Sequence, residues 1–167
     1  DCDVEQPNAH LFIQPDFFRS EPVHAPVPEV DPDRCTGCGE CEAICQFKAI
    51  VVVGGKIMTF PELCHSCGGC FAVCPEDAIT ETGRELGTIE AGTRDGLLLV
   101  YGQSRVGEAM SPPLIRRVRA EGEPDRITII DAPPGTSCPV IAAMKGADFV
   151  LLVTEPTPFG LNDLELA

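Results

Sequence analysis

The 167-residue sequence lacks tryptophan, has a single tyrosine and holds only 12 lysine and arginine residues against 26 aspartate and glutamate residues. Its formal net charge is −14. Proteins that bind nucleic acid generally need a basic surface that neutralises phosphate groups. The composition therefore excludes nucleic acid as an expected partner.

The sequence also lacks long apolar runs, and its opening residues do not have the pattern of a secretory leader. No apolar run approaches the roughly 18–20 residues that a membrane-spanning helix needs. The opening residues, DCDVE, have neither the basic start nor the apolar core of a secretory signal. Ten cysteines in such an acidic chain favour a reducing compartment. We therefore expect a cytoplasmic protein without a membrane span.

Eight of the ten cysteines form two runs of identical spacing, offset by 29 residues. The first is Cys35-x-x-Cys38-x-x-Cys41-x-x-x-Cys45, and the second is Cys64-x-x-Cys67-x-x-Cys70-x-x-x-Cys74. The repeat extends further, because Ala49-Ile50 recurs in register as Ala78-Ile79. This duplicated spacing is typical of bacterial ferredoxins, which hold two 4Fe-4S clusters.

Ligand geometry predicts how the eight thiolates divide between the clusters. Three cysteines in C-x-x-C-x-x-C wrap one cluster in a tight loop, whereas the fourth begins a helix that leads away and therefore binds the other cluster. One cluster is then held by Cys35, Cys38, Cys41 and Cys74. The second is held by Cys64, Cys67, Cys70 and Cys45. Glycines between the ligands allow the backbone to approach the clusters: Gly37, Gly39, Gly68 and Gly69.

Two other chemistries use cysteine pairs. Zinc sites take four ligands as two separated pairs, not two runs of four. A disulfide framework requires an oxidising compartment. One departure from the ferredoxin pattern is Gln46, where proline is expected, while the second run keeps Pro75. The remaining cysteines, Cys2 and Cys138, are expected to be buried apolar thiols, and the alternative is an additional metal or redox role.

The segments on either side of the cysteine module differ in character. Residues 14–32 contain five prolines and read as an extended linker. Within the module, residues 49–53 and 57–60 flank a glycine turn and predict a β-hairpin. Beyond residue 96, apolar strands are predicted at 97–101, 126–131 and 149–154, with helices over 112–120 (capped by Ser111) and 139–145 between them. This alternation predicts a parallel sheet.

A second candidate site lies at the end of the middle predicted strand. Asp131 is followed by Ala132-Pro133-Pro134-Gly135, and nucleotide-binding sheets place their Walker B aspartate at such a strand end. There Asp131 would hold Mg²⁺ through water, and Gly135 would leave room for a γ-phosphate. The alternative is that Asp131 is an ordinary turn residue before the prolines.

In its motifs and their order, the sequence resembles the MinD/Mrp-type P-loop ATPases with an inserted ferredoxin domain, relatives of the nitrogenase iron protein. The matching segments are residues 1–12, both cysteine runs, residues 131–139 and residues 153–157. The resemblance implies an α/β fold, with a partial parallel P-loop sheet interrupted by an α+β ferredoxin domain. It divides the chain into an N-terminal piece of the P-loop domain with a linker (1–28), the ferredoxin-like domain (29–90) and the truncated remainder of the P-loop domain (91–167).

The resemblance also implies roles for three residues. Asp3 would lie in switch I and help to position the attacking water or Mg²⁺, while Asp131 and Gly135 would form switch II. However, the sequence contains no G-x-x-x-x-G-K-S/T motif, since Gly54-Gly55-Lys56 is followed by isoleucine inside the predicted hairpin. We therefore expect an internal fragment of such an ATPase. Mg-ATP would be a ligand of the full-length protein only, and this chain is not expected to hydrolyse ATP alone.

Three functions fit these expectations. The first is electron transfer to a redox partner protein, gated in the full-length protein by ATP-driven closure of a homodimer. The second is an iron–sulfur carrier or scaffold that delivers clusters to an apo-acceptor, and the third is a regulatory protein in which the clusters are structural. Residues 1–90 carry 16 acidic and 5 basic residues, which suits a basic redox partner but equally serves solubility.

Overall fold

A computed structural model describes residues 1–166 of the chain. The chain divides into two compact units: one combines Asp1–Val23 with the chain from Leu86 onward, and the other is His24–Glu85. Both boundaries lie five residues before the ones expected from the sequence. Within the described residues, no helix has the length and apolar character needed to cross a membrane.

The secondary-structure elements are short apart from two long strands. In chain order they are α1 (Ala9–Ile13), β1 (Asp16–Val30), α2 (Glu40–Ile44), β2 (Ile50–Val53), β3 (Lys56–Thr59), a 3-10 turn (Pro61–Leu63), α3 (Gly69–Val73), β4 (Ile79–Arg94), β5 (Leu97–Ser104), α4 (Ser111–Arg119), α5 (Cys138–Met144) and α6 (Pro158–Leu166).

The unit His24–Glu85 contains both cysteine runs and the predicted hairpin. β2 and β3 pair antiparallel with Val53 opposite Lys56, so the connection is the two-residue turn Gly54-Gly55. Both glycines have positive φ, 59° and 78°, which the tight turns of two-residue hairpins demand. The hairpin prediction is confirmed. The centre of this unit is a cluster of the buried residues Cys41, Ile50 and Ile79.

The other unit places α4 over β5 and against α5. Its core consists of small and medium apolar side chains: Cys2, Val4, Ile89, Leu114, Ile115, Val118 and Ala143. Prolines stand in the first turn of α4, but the helix begins at Ser111 itself and no side chain of the described residues caps it. The predicted N-cap at Ser111 is therefore wrong.

The proline-rich segment over residues 14–32 was expected to be a linker, and this expectation is wrong. Most of it forms β1, which lies at the edge of a three-stranded sheet of order β1-β4-β5. A proline lacks a backbone N–H, but on the open side of an edge strand that N–H has no ladder partner to lose. An edge strand therefore tolerates the three prolines that lie within β1.

The predicted parallel sheet is absent from the described residues. β5 runs antiparallel to β4, with Arg94 opposite Leu97, because Asp95-Gly96 forms a two-residue hairpin turn. Asp-Gly is a strong hairpin signal, and it explains why this apolar run does not cross over to a parallel neighbour. The segments 126–131 and 149–154 form no strand. Most of their apolar side chains are exposed, with Ile127 at 96% and Val153 at 87%, whereas Ile130 packs partly against the core.

Candidate metal centres

Two cavities in the unit His24–Glu85 are each lined by four cysteines. The first site, as we name it, is lined by Cys35, Cys38, Cys41 and Cys74. The second site is lined by Cys45, Cys64, Cys67 and Cys70. Each site thus combines three cysteines of one run with the fourth cysteine of the other. These are the two sets that ligand spacing predicts; coordination itself stays a prediction.

The helices explain why the fourth cysteine of each run leaves its own loop. Cys41 lies within α2 and Cys45 directly follows that helix. Cys70 lies within α3 and Cys74 directly follows it in the same way. Cys45 and Cys74 have nearly the same extended conformation, with φ of −75° and −74°. The expectation that the fourth cysteine begins a helix is therefore wrong, because each helix begins before the third cysteine and ends one residue before the fourth. The helix still carries the fourth cysteine away from the preceding loop and toward the opposite site.

Backbone amides point at the cysteine sulfurs, and they do so in repeat-related pairs. The N–H groups of Gly37 and Ser66 donate to the sulfurs of Cys35 and Cys64, both at 3.4 Å. The N–H groups of Ala49 and Ala78 donate to the sulfurs of Cys45 and Cys74, both at 3.3 Å. Such amide–sulfur contacts stabilise the negative charge on metal-bound thiolates, so the surroundings of these cysteines fit a bound cluster.

Burial differs among the cysteines. Burial raises the pKa of the Cys41 thiol and likewise the pKa of the Cys70 thiol. Because a metal binds the thiolate, cluster binding would release these protons. Cys38 and Cys67, at equivalent positions of the two runs, are exposed. One edge of each site therefore faces solvent.

The donor set fits an iron–sulfur cluster by its chemistry. Among the described residues, no group of three or more His, Cys, Asp or Glu side chains is placed to hold a metal ion. A 4Fe-4S cluster is bound differently, since each of the four thiolates takes a separate iron. Four thiols around each cavity, with backbone amides directed at two of the four sulfurs, match that requirement. When bound, such clusters supply one-electron redox chemistry.

Comparison with known families supports the same conclusion. Residues 34–79 match the family model of the 4Fe-4S dicluster domain. The chain contains a 4Fe-4S dicluster domain. It is accordingly a 4Fe-4S iron–sulfur protein with a ferredoxin-type domain, and the matched residues include all eight cysteines of the two runs.

Two curated relatives extend the similarity beyond this domain. The chain is 40% identical over 166 residues to the uncharacterized protein MJ0578 of Methanocaldococcus jannaschii, covering 98% of the chain and 58% of that relative. It is 32% identical over 166 residues to the uncharacterized protein MJ0579 of the same organism, covering 98% of the chain and 60% of that relative. The chain thus spans less than two thirds of the length of either relative.

The residues assigned to a nucleotide site lie in the other unit. The N–H of Cys2 donates to the carbonyl oxygen of Asp131 at 2.8 Å, so the segment around Asp3 lies beside Asp131. Asp3 is half-buried as a residue, and its carboxylate accepts an exposed hydrogen bond from the N–H of Gln6 at 3.4 Å. Asp131 and Gly135 are exposed. The structure brings the two acidic segments together, and their role with a nucleotide stays a prediction.

Sequence reasoning missed an anchor in the same region. One carboxylate oxygen of Asp1 accepts from the N–H of Asp3, and the other accepts from the N–H groups of Asn8 and Ala9, each at 3.0 Å. Asp1 thereby fixes the loop that leads into α1. An ordinary N-cap residue directly precedes its helix, whereas Asp1 lies several residues before the start of α1. No local sequence signal therefore indicated this role. Cys2 is buried, as expected, whereas Cys138 is exposed, contrary to expectation.

Sequence reasoning also missed side chains that line the two sites. Glu40 and Glu76 line the first site, and Phe47 and His65 line the second. The internal repeat could have indicated Phe47 and Glu76 as a pair, because they occupy equivalent positions 29 residues apart.

Proposed function

We propose that this chain is an electron-transfer protein with two 4Fe-4S clusters, one bound at the first site by Cys35, Cys38, Cys41 and Cys74 and the other bound at the second site by Cys45, Cys64, Cys67 and Cys70. The observation that carries the proposal is the exchange of the fourth cysteine between two cavities of one small unit. This exchange ties both sites to the same helices, so the clusters would be close neighbours. Neighbouring one-electron centres are suited to passing electrons.

The protein's own groups have definite tasks in this proposal. The apolar cluster around Ile50 and Ile79 excludes water from the inner side of the sites. The amides of Ala49 and Ala78 stabilise the thiolates of the two exchanged cysteines. The solvent-facing edges at Cys38 and Cys67 give a partner access to each centre.

The charge of this unit indicates the kind of partner. Residues 24–85 contain 10 acidic and 4 basic residues. We propose that the partner is a redox protein with a basic docking surface, since complementary charge accelerates encounter and weakens with added salt. Electron-transfer rates that fall steeply with ionic strength would support this partner class, and rates that are independent of salt would oppose it.

The function is tested by anaerobic reconstitution followed by redox titration. The expected result is a brown protein with about eight irons and about eight sulfides per chain and two reversible one-electron steps at low potential. A colourless protein that carries zinc, or clusters that do not accept electrons reversibly, would contradict the proposal.

A second candidate function rests on the exposure of Cys38 and Cys67. Exposed ligands would also let a cluster pass to another protein, as in an iron–sulfur carrier. Incubation of the reconstituted protein with an apo-ferredoxin, monitored by optical changes of the acceptor, separates the two functions. Rapid stoichiometric transfer favours the carrier, and retention of both clusters during repeated redox cycles favours electron transfer.

We further propose that Asp3, Asp131 and Gly135 serve a nucleotide in a protein that also supplies a phosphate-binding loop. The 2.8 Å bond between Cys2 and Asp131, which holds the two acidic segments together, supports this idea. Calorimetry of this chain with Mg-ATP should show no binding, because the chain lacks the phosphate-binding motif. In a longer protein that binds Mg-ATP, Asp131→Asn should abolish hydrolysis, and unchanged hydrolysis would contradict the assignment.

A further inference from the structure

The two sites differ in the charge of the side chains that line them. Two carboxylates, Glu40 and Glu76, line the first site. Among the described residues, the lining of the second site includes no carboxylate. Its place is taken by the rings of Phe47 and His65, which stack with centroids 3.5 Å apart and planes 6° apart.

The internal repeat shows that this difference is a substitution at matched positions. Glu40 of the first run corresponds to Gly69 of the second, 29 residues later. Phe47 corresponds in the same way to Glu76. Because the fourth cysteines are exchanged, the residues that follow them line opposite sites. Phe47, two residues after Cys45, lines the second site, and Glu76, two residues after Cys74, lines the first. The repeat thus keeps the cysteines and changes the charge around them.

Basic residues reduce this contrast only in part. The guanidinium of Arg34 donates to the backbone carbonyl of Glu76 at 2.8 Å, which brings one positive charge to the rim of the first site. Asp77 follows Glu76 and adds a third carboxylate near Cys74, while the matched position after Phe47 is Lys48. The balance around the first site therefore remains negative relative to the second.

Negative charge near a redox centre opposes the addition of an electron, so it lowers the reduction potential. Glu40 and Glu76 are exposed, and water weakens their influence, but both act in the same direction. We infer that the two clusters are unequal: the cluster at the second site accepts the first electron, and the cluster at the first site accepts the second electron at a lower potential.

This inference rests on the proposed electron-transfer function. It names Glu40 and Glu76 as positioning residues that set the order of reduction without binding iron. Each step adds one electron from an external one-electron donor to one cluster, and no bond to the protein forms or breaks. The stronger reductant, which is the reduced cluster at the first site, would then be the one whose surroundings are acidic. A basic partner docking there would meet the more reducing centre.

The test is a potentiometric titration of the reconstituted protein with dithionite, followed by electron paramagnetic resonance. The unmodified protein should show two separate one-electron steps. The lower reduction potential should rise in Glu40→Gln, in Glu76→Gln and in the double variant, and the higher potential should stay unchanged. The difference between the two potentials should therefore become smaller. Phe47→Glu, which places a carboxylate at the matched position of the second site, should lower the higher potential.

Controls make the assignment specific. Glu62→Gln removes an exposed carboxylate of the same unit that lies outside the lining of both sites, and it should move neither potential. Cys74→Ser should remove the lower step and keep the higher one. A single unresolved two-electron step, or a Glu76→Gln variant that raises the higher potential, would overturn the inequality while leaving electron transfer intact. Absence of any reversible reduction would overturn both.

Discussion

The rings of Phe47 and His65 lie face to face over the second site, with centroids 3.5 Å apart. Stacked aromatic pairs contribute about 0.5–1.5 kcal/mol beyond the area that they bury. Because Phe47 remains 41% exposed, we expect Phe47→Leu to lower the unfolding free energy of the reconstituted protein by about 0.5 kcal/mol, at the low end of that range.

Urea denaturation measures this difference. Phe60→Leu is the matched control, because Phe60 is similarly exposed at 38% and, in the part of the chain that the structure describes, its ring stacks on no other. An equal loss in the two variants would mean that the stack with His65 contributes nothing of its own.

A second prediction concerns the apolar centre beneath the two sites. Ile50 is 1% exposed and packs with Cys41 and Ile79. Ile50→Ala should lower the free energy of unfolding by about 2–5 kcal/mol, as other large-to-small changes in protein cores do. Iron retained after a mild denaturant challenge gives a second measure, and it should fall. Val53→Ala, on the same strand but 61% exposed, should leave both quantities close to those of the unmodified protein.

A third prediction uses the single tyrosine of the chain. Tyr101 is buried and its hydroxyl donates to the carboxylate of Glu90 at 2.7 Å. Burial, together with the bond and charge of Glu90, raises the pKa of Tyr101 to about 12. The folded protein therefore holds this proton more tightly than the unfolded chain, whose tyrosine has a pKa of about 10.

The raised pKa of Tyr101 stabilises the folded protein. This stabilisation is fully present below about pH 10 and is lost as the pH rises toward about 12. Absorbance of the tyrosinate, measured as a difference spectrum, should show the phenol ionising near the upper value. Glu90→Gln should move the ionisation to lower pH, because the neighbouring negative charge is gone. Ionisation of the unmodified protein at the ordinary pKa would contradict the buried bond.

The sequence predicted the cysteine-rich unit well because its determinants are local. The three-cysteine loops and the glycine turn at residues 54–55 each follow from neighbouring residues, and the structure contains both. A short helix was also expected after each loop, but it begins within the loop and ends before the fourth cysteine. The crossed grouping of cysteines was expected from a helix that begins at the fourth cysteine, whereas in the structure a helix that ends just before this cysteine leads it away from its loop.

The rest of the fold was predicted poorly because it depends on which strands become neighbours. The run over residues 97–101 is apolar enough for a buried parallel strand, but the Asp95-Gly96 turn directs it back along β4. The prolines of β1 suggested a linker, and only its place at the sheet edge makes a strand with those prolines acceptable. The order of strands and the position of a strand at the sheet edge depend on contacts between segments that are distant in sequence, and the local pattern of apolar residues does not specify them.

The exchange of Cys45 and Cys74 between the two sites is the central claim, and iron content of double variants tests it most directly. Reconstituted Cys35→Ser/Cys74→Ser should lose one cluster and keep about four irons, because both changes fall on the first site. Cys35→Ser/Cys45→Ser should damage both sites and keep almost no iron, although both changes fall within the first run. Cys138→Ser should retain about eight irons as a control. The reverse pattern, with iron retained when both changes lie in one run and lost when they lie in different runs, would contradict the account.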